Sequence, residues 1–151
     1  MKKKYLTIAL FTFILFTACE KENENETKIS QNNTDESHNL GQNCMTCHVS
    51  GGDGEGWFTL AGSLYDKSKI SAYPNGSVKL TTEPNGSGTL VNTIENDRKG
   101  NFYTTQTIDF GDGLYVGVFG TNGEQKFMSS KITTGACNSC HGNTTDKLWI
   151  E

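Results

Sequence analysis

The pattern Cys44-Met45-Thr46-Cys47-His48 returns ninety-odd residues later as Cys137-Asn138-Ser139-Cys140-His141. No other feature constrains the fold as strongly. Whatever lies between must present two short turns, each aiming two sulfurs and a ring nitrogen at one place. The two copies absorb four of the five cysteines and two of the three histidines. Cys-x-x-Cys-His is the attachment pattern of c-type haem. Its two thiols form thioethers to the two vinyl groups of one porphyrin, and the histidine falls under the iron as proximal ligand. The expectation is two covalently bound haem c groups, held by Cys44, Cys47, Cys137 and Cys140, with His48 and His141 as proximal iron ligands.

Two other readings of the cysteines stay open. Two Cys-x-x-Cys knuckles that meet in space form a four-thiolate zinc or iron–sulfur centre, or each pair closes a local disulfide. Neither accounts for a histidine after both knuckles. With two such histidines in the mature chain, that coincidence has odds on the order of one in several thousand. A thioredoxin-like role lacks its βαβ context.

The fifth cysteine bears on compartment. Lys2, Lys3 and Lys4 precede a short apolar run from Tyr5 to Phe16, and Phe16-Thr17-Ala18-Cys19 follows. The run is too short to span a bilayer and has the flanks of a signal peptide. Its end resembles a bacterial lipobox, with Phe16 where Leu is usual. That resemblance implies removal of a lipoprotein signal peptide, residues 1–18, and acylation of Cys19, with several chains giving stable anchoring to the lipid bilayer. An ordinary secretory peptide is the alternative. Export also fits the thiols, because haem attachment alkylates cysteines that an oxidising compartment would otherwise attack. The expected location is the bacterial cell envelope, lipid-anchored and facing the periplasm or the cell exterior.

Charge narrows the partners. The chain carries a formal −4, and removing the three leader lysines leaves 10 basic against 17 acidic residues, a formal −7. There is no basic patch, which excludes nucleic acid as an expected partner. The expected partners are redox proteins of the membrane or periplasm.

From Gly56 to Thr134 the pattern has period two. Ser77-Val78-Lys79-Leu80-Thr81 alternates, with Val78 and Leu80 on one face. Other strands are expected in Trp57 to Tyr65, Gly88 to Ile94, Asn101 to Ile108, Leu114 to Phe119 and Gln125 to Ile132. Turn signals separate them, among them Pro74-Asn75-Gly76 and Pro84-Asn85-Gly86. Short strands at this spacing predict a mainly β chain, a small antiparallel β-sandwich flanked by two short haem-binding segments. The expected division is an acidic flexible tether at 19–39, a first haem segment at 40–55, the β-sandwich at 56–134 and a second haem segment at 135–151. The tether expectation rests on a stretch rich in Asn, Glu, Gln and Ser whose one aliphatic residue is Ile29.

The middle stretch resembles the carboxypeptidase regulatory-like, transthyretin-type sandwich family. The elements that carry this are Ala61-Gly62-Ser63-Leu64-Tyr65-Asp66, Pro74 to Leu80, Asp97-Arg98-Lys99-Gly100-Asn101-Phe102-Tyr103 and Gly113 to Val118. The resemblance implies a scaffold without catalysis. Leu40 to His48 with Gly51 to Gly56 resembles the N-terminal haem segment of small cytochromes c, but a β domain follows where that family has helices. Together these features identify the chain as similar to an exported dihaem c-type cytochrome lipoprotein.

The sixth iron ligands have two readings each. His38, six residues before Cys44, is either a distal ligand or an exposed linker histidine. Met128, nine residues before Cys137, is either a distal ligand or a core methionine. Trp57, Phe58, Tyr65 and Trp149 either cover the porphyrins or fill the core. The expected function is a membrane-anchored c-type cytochrome carrying two haems for electron transfer, not an enzyme. A dihaem peroxidase lacks a distal acid–base residue. The alternative is a surface β-sandwich for binding or adhesion, its Cys-x-x-Cys pairs holding a metal or forming disulfides.

Overall fold

The computed structural model describes residues 25–151; the expected signal peptide, Cys19 and the start of the expected tether lie outside them. Eight strands follow one another: β1 Leu60–Tyr65, β2 Ser77–Thr81, β3 Leu90–Glu95, β4 Asn101–Thr104, β5 Tyr115–Phe119, β6 Gln125–Phe127, β7 Gly135–Ala136 and β8 Leu148–Trp149. They form two sheets. One has the order β4–β1–β7, with β8 also on β1, and the other has the order β3–β2–β5–β6. The chain is a small β-sandwich, antiparallel for the most part.

Each sheet turns one face inward. Val78 and Leu80 of β2, Ile94 of β3 and Val116 and Val118 of β5 meet Leu60 and Leu64 of β1 and Phe102 of β4 in one core. Residues 77 and 79 of β2 stay half-buried, as the period-two pattern predicts. The turns are legible too. Asn75 and Asn85 have φ of 60° and 56°, the left-handed region that asparagine tolerates better than other side chains.

β1 differs from the other strands because all six of its residues are buried. Leu60 and Leu64 face the core, while the outer face is covered by residues 37–42. There the Gly41 N–H donates to the Ser63 hydroxyl at 2.8 Å.

Two expected boundaries change. The second haem segment is part of the sheet, since β7 and β8 both pair with β1 in parallel, Leu60 opposite Gly135 and Leu64 opposite Leu148. Residues 137–147 loop out between them. Where the strand is missing, Ser63 N–H donates to Asn138 Oδ1 at 3.1 Å, so a side chain continues the ladder.

Within residues 25–39, expected to belong to a flexible tether, Lys28 to Ser30 lie along the outer edge of β4, and Asn32 to His38 bond to Glu95, Asn75 and the turn from Asp97 to Asn101. Ser30 N–H donates to Tyr103 O at 3.0 Å and Thr105 N–H to Lys28 O at 2.8 Å. Ser37 N–H donates to the buried Asp97 carboxylate at 3.2 Å. An uncovered edge strand leaves its main-chain groups unpaired, and this mostly polar segment satisfies them while packing one apolar side chain, Ile29, against the core.

Candidate haem-attachment site

Each motif folds as a single 3₁₀ turn, Cys44–Thr46 and Cys137–Ser139. Cys47 N–H donates to Cys44 O at 3.2 Å and His48 N–H to the same oxygen at 3.0 Å; Cys140 and His141 do likewise to Cys137 O, at 3.2 and 3.0 Å. The turns close differently. Asn43 Oδ1 accepts from Met45 N–H at 3.3 Å before the first, whereas Ser139 donates its hydroxyl to Ala136 O at 2.6 Å in the second.

The histidines are held the same way. His48 Nδ1 lies 3.1 Å from Glu55 O and 3.2 Å from Gly56 O. His141 Nδ1 lies 2.8 Å from Asp146 O. A carbonyl oxygen only accepts, so in both rings Nδ1 carries the proton and Nε2 carries the lone pair. Neither Nε2 has a hydrogen-bond partner among the described residues. This is how a protein prepares an imidazole to bind a metal through Nε2.

Two of these carbonyls, those of Glu55 and Asp146, belong to acidic residues held by a lysine. The Glu55 carboxylate pairs with Lys28 at 2.9 Å and the Asp146 carboxylate with Lys69 at 2.7 Å. The Glu55 carboxylate raises the Lys28 ammonium pKa, mainly by its hydrogen bond. Lys69 lowers the Asp146 carboxyl pKa in the same manner. These pairs are exposed, so they steady the loops more than they stabilise the fold.

The two motifs meet across β1. Asn138 Nδ2 donates to Gln42 O at 2.9 Å and to Ser63 Oγ at 2.9 Å. The Ser63 hydroxyl in turn donates to Asn101 Oδ1, and Asn101 Nδ2 reaches Ser37 Oγ and His38 O, both at 3.0 Å. Ser63, Asn101 and Asn138 are all buried. None of the three stood out in the sequence. The available signals were a serine in the middle of an otherwise apolar strand and the asparagine inside the second motif.

Beside the first motif lies a cavity of about 610 Å³ lined by Cys44, Cys47, His48, His38, Phe58 and Tyr103, among others. Phe58 stacks on His48, with centroids 4.2 Å apart and planes at 10°, and Tyr103 stacks on Phe58 at 4.8 Å. Of the aromatics expected over the porphyrins, Phe58 is thus at the first site. Tyr65 is buried under β1's outer cover with Lys147 over its ring at 4.3 Å, and the ammoniums of Lys69 and Lys126 lie over the Trp149 ring.

The thiols differ in setting. Cys47 and Cys140 are exposed. Cys137 packs against the core, and burial, with a smaller contribution from Cys44, pushes its thiol pKa up to about 12. Burial also raises the Cys44 pKa.

Met128 is not at either motif. It packs against the core and its N–H donates to Val116 O at 2.9 Å in the second sheet. The distal-ligand expectation for Met128 gives way to packing, because its neighbours on β5 face the apolar interior. The four motif cysteines are free, with no disulfide among the described residues. Nor, among those residues, do three His, Cys, Asp or Glu side chains gather as a metal-binding group.

Comparison with protein-family models, curated proteins and solved structures returned no match.

Proposed function

We propose that this chain is a c-type cytochrome that carries two covalently attached haems and transfers electrons. The observation that carries the reading is the shared treatment of His48 and His141: a Cys-x-x-Cys turn, a proton fixed on Nδ1 by a main-chain carbonyl, and a free Nε2. Cys44 and Cys47 would hold one haem and Cys137 and Cys140 the other, with the two histidines as proximal ligands. The bound groups supply one-electron redox chemistry. The chain's part is to fix the imidazoles, provide apolar cover through Phe58 and keep the two sites adjacent. The Gln42–Asn138 bond supports neighbouring haems, hence a coupled pair rather than distant stations.

Anchoring, scaffold and partners follow from the sequence. Cys19 would anchor the protein to the cell envelope, the sandwich would act as scaffold in the manner of the regulatory-like family it resembles, and redox proteins would be the partners. This is a carrier, not an enzyme.

Intact mass and the visible spectrum of protein matured in a haem-competent host test the reading. Two haem masses per chain and reduced c-type α and Soret bands are expected. Colourless protein with four unmodified motif thiols removes it.

A further inference from the structure

We propose that His38 supplies the second axial imidazole to the haem held by Cys44 and Cys47, making that iron six-coordinate. This rests on the haem reading above and deepens it.

The His48 ring is enclosed on most sides. Phe58 covers one face at 4.2 Å. A Cβ built on Gly54 would stand 2.7, 2.8 and 2.9 Å from Nδ1, Cγ and Cε1 of the ring. Near-equal distances to three ring atoms put Gly54 above a face, and that face is the one Phe58 leaves open. The Nδ1 edge is closed by the carbonyls of Glu55 and Gly56. Only the edge that carries Nε2 is left.

The His38 ring is the nearest imidazole available to that edge. Its centroid is 5.7 Å from that of His48, with the planes tilted by 36°. Metal–imidazole bonds of about 2 Å put two trans ring centroids roughly 6 Å apart. The same two rings line the cavity that Cys44 and Cys47 border. The first site therefore holds both thioether donors and two imidazoles in one hollow.

His38 is also placed firmly, as a ligand must be. Asn101 Nδ2 donates to its carbonyl at 3.0 Å. The residue before it is fixed by Lys99 Nζ on Ser37 O at 2.8 Å and by Ser37 N–H on Asp97. The side chain itself is exposed and makes no hydrogen bond among the described residues. The backbone is pinned while the ring is uncommitted. A linker histidine needs no such anchoring.

Two imidazoles give a low-spin iron closed to added ligands, at a lower potential than an imidazole–thioether pair. The test uses the full mature dihaem protein with His38→Ala and His38→Met. In the unsubstituted protein the first haem is expected low-spin by electron paramagnetic resonance, so the ferrous protein binds at most one carbon monoxide per two haems. His38→Ala should convert one haem of the two to a high-spin, carbon monoxide-binding form and raise the bound gas by one equivalent. His38→Met should restore six-coordination with a higher potential at that haem alone.

The proposal is overturned if the unsubstituted protein binds two equivalents, or if His38→Ala keeps both haems by mass and leaves the resonance and gas stoichiometry unchanged. Protein with no haem at all would instead defeat the broader reading, so the two failures are distinguishable. The anchoring bonds of His38 are made by its main chain, so both variants retain them.

Discussion

Asn138 donates a 2.9 Å hydrogen bond to the carbonyl of Gln42, and with it the second Cys-x-x-Cys-His turn is fastened to the segment that leads into the first. The two residues are 96 positions apart. The same carboxamide accepts from Ser63 N–H and donates to its hydroxyl, so one buried side chain closes the gap between β7 and β8 and joins both sites to β1.

Asn138→Ala leaves the Ser63 N–H without a partner in a buried place. A buried orphan of this kind costs about 1–3 kcal/mol. The variant should lose about that much in urea denaturation. Asn143→Ala serves as comparison, because Asn143 is exposed and makes one 3.2 Å bond to Ser139 O; it should change stability by less than about 0.5 kcal/mol. Equal effects would mean that the junction around β1 is not organised by Asn138.

Gly62 sits where β1, β4 and the second turn converge. A Cβ there would collide with the Phe102 ring and stand 2.8 Å from Cys137 Cβ. Overpacking costs about 1–3 kcal/mol. Gly62→Ala should therefore destabilise the fold and displace Cys137. Peptide mapping should then find less haem on the Cys137–Cys140 peptide than on the Cys44–Cys47 peptide. Equal loading of both would show that Cys137 has room to move.

Gly54 leaves space for the His48 ring, since any side chain there would press on Nδ1, Cγ and Cε1 from within 3 Å. Gly54→Ala should tilt the imidazole away from the carbonyls of Glu55 and Gly56. The expected result is an altered spectrum for one haem of two, while the unfolding midpoint moves little because Gly54 lies in the open loop outside the sandwich. An unchanged spectrum would remove the clamp from the account of the first site.

Much of this architecture was legible because period two and asparagine turns report local geometry. β2 matches the alternating run Ser77 to Thr81 residue for residue. What was not legible arises from main-chain pairing at a distance. β7 and β8 are two residues each and lie parallel to β1; a pair of that length has no alternation to read. Residues 28–30 hold a single apolar side chain, Ile29, too little alternation to announce an edge, yet their backbone covers β4. Met128 suits a core better than an iron by residue type alone, and its packing against the core agrees with that. At the site, the motifs fixed the cysteines and His48 and His141. The carbonyls that set the ring protons come from Glu55, Gly56 and Asp146, whose side-chain identities say nothing about a main-chain oxygen.

The Cys137 thiol gives a pH signature that haem attachment should erase. In the folded apoprotein burial holds its pKa at about 12, while an unfolded thiol ionises near 8.5. Between those values the unfolded chain has released a proton that the folded chain keeps. The folded state then binds more protons, so stability is complete below about pH 8.5 and falls as pH rises toward 12. The full slope for one proton is about 1.4 kcal/mol per pH unit. Burial also raises the phenol pKa values of Tyr65 and Tyr103, which adds a decline of the same sign. Comparison with Cys137→Ala cancels that background. Urea denaturation from pH 8 to 10.5 should show apoprotein losing stability more steeply than apo Cys137→Ala. Protein carrying both haems should follow the shallower curve, because a thioether sulfur has no proton to lose. Iodoacetamide gives an independent check at pH 8.5, where exposed Cys140 should be modified well before Cys137. Parallel curves, or equal alkylation of the two cysteines, would mean that Cys137 is open to solvent and that the second turn is not seated on Gly62.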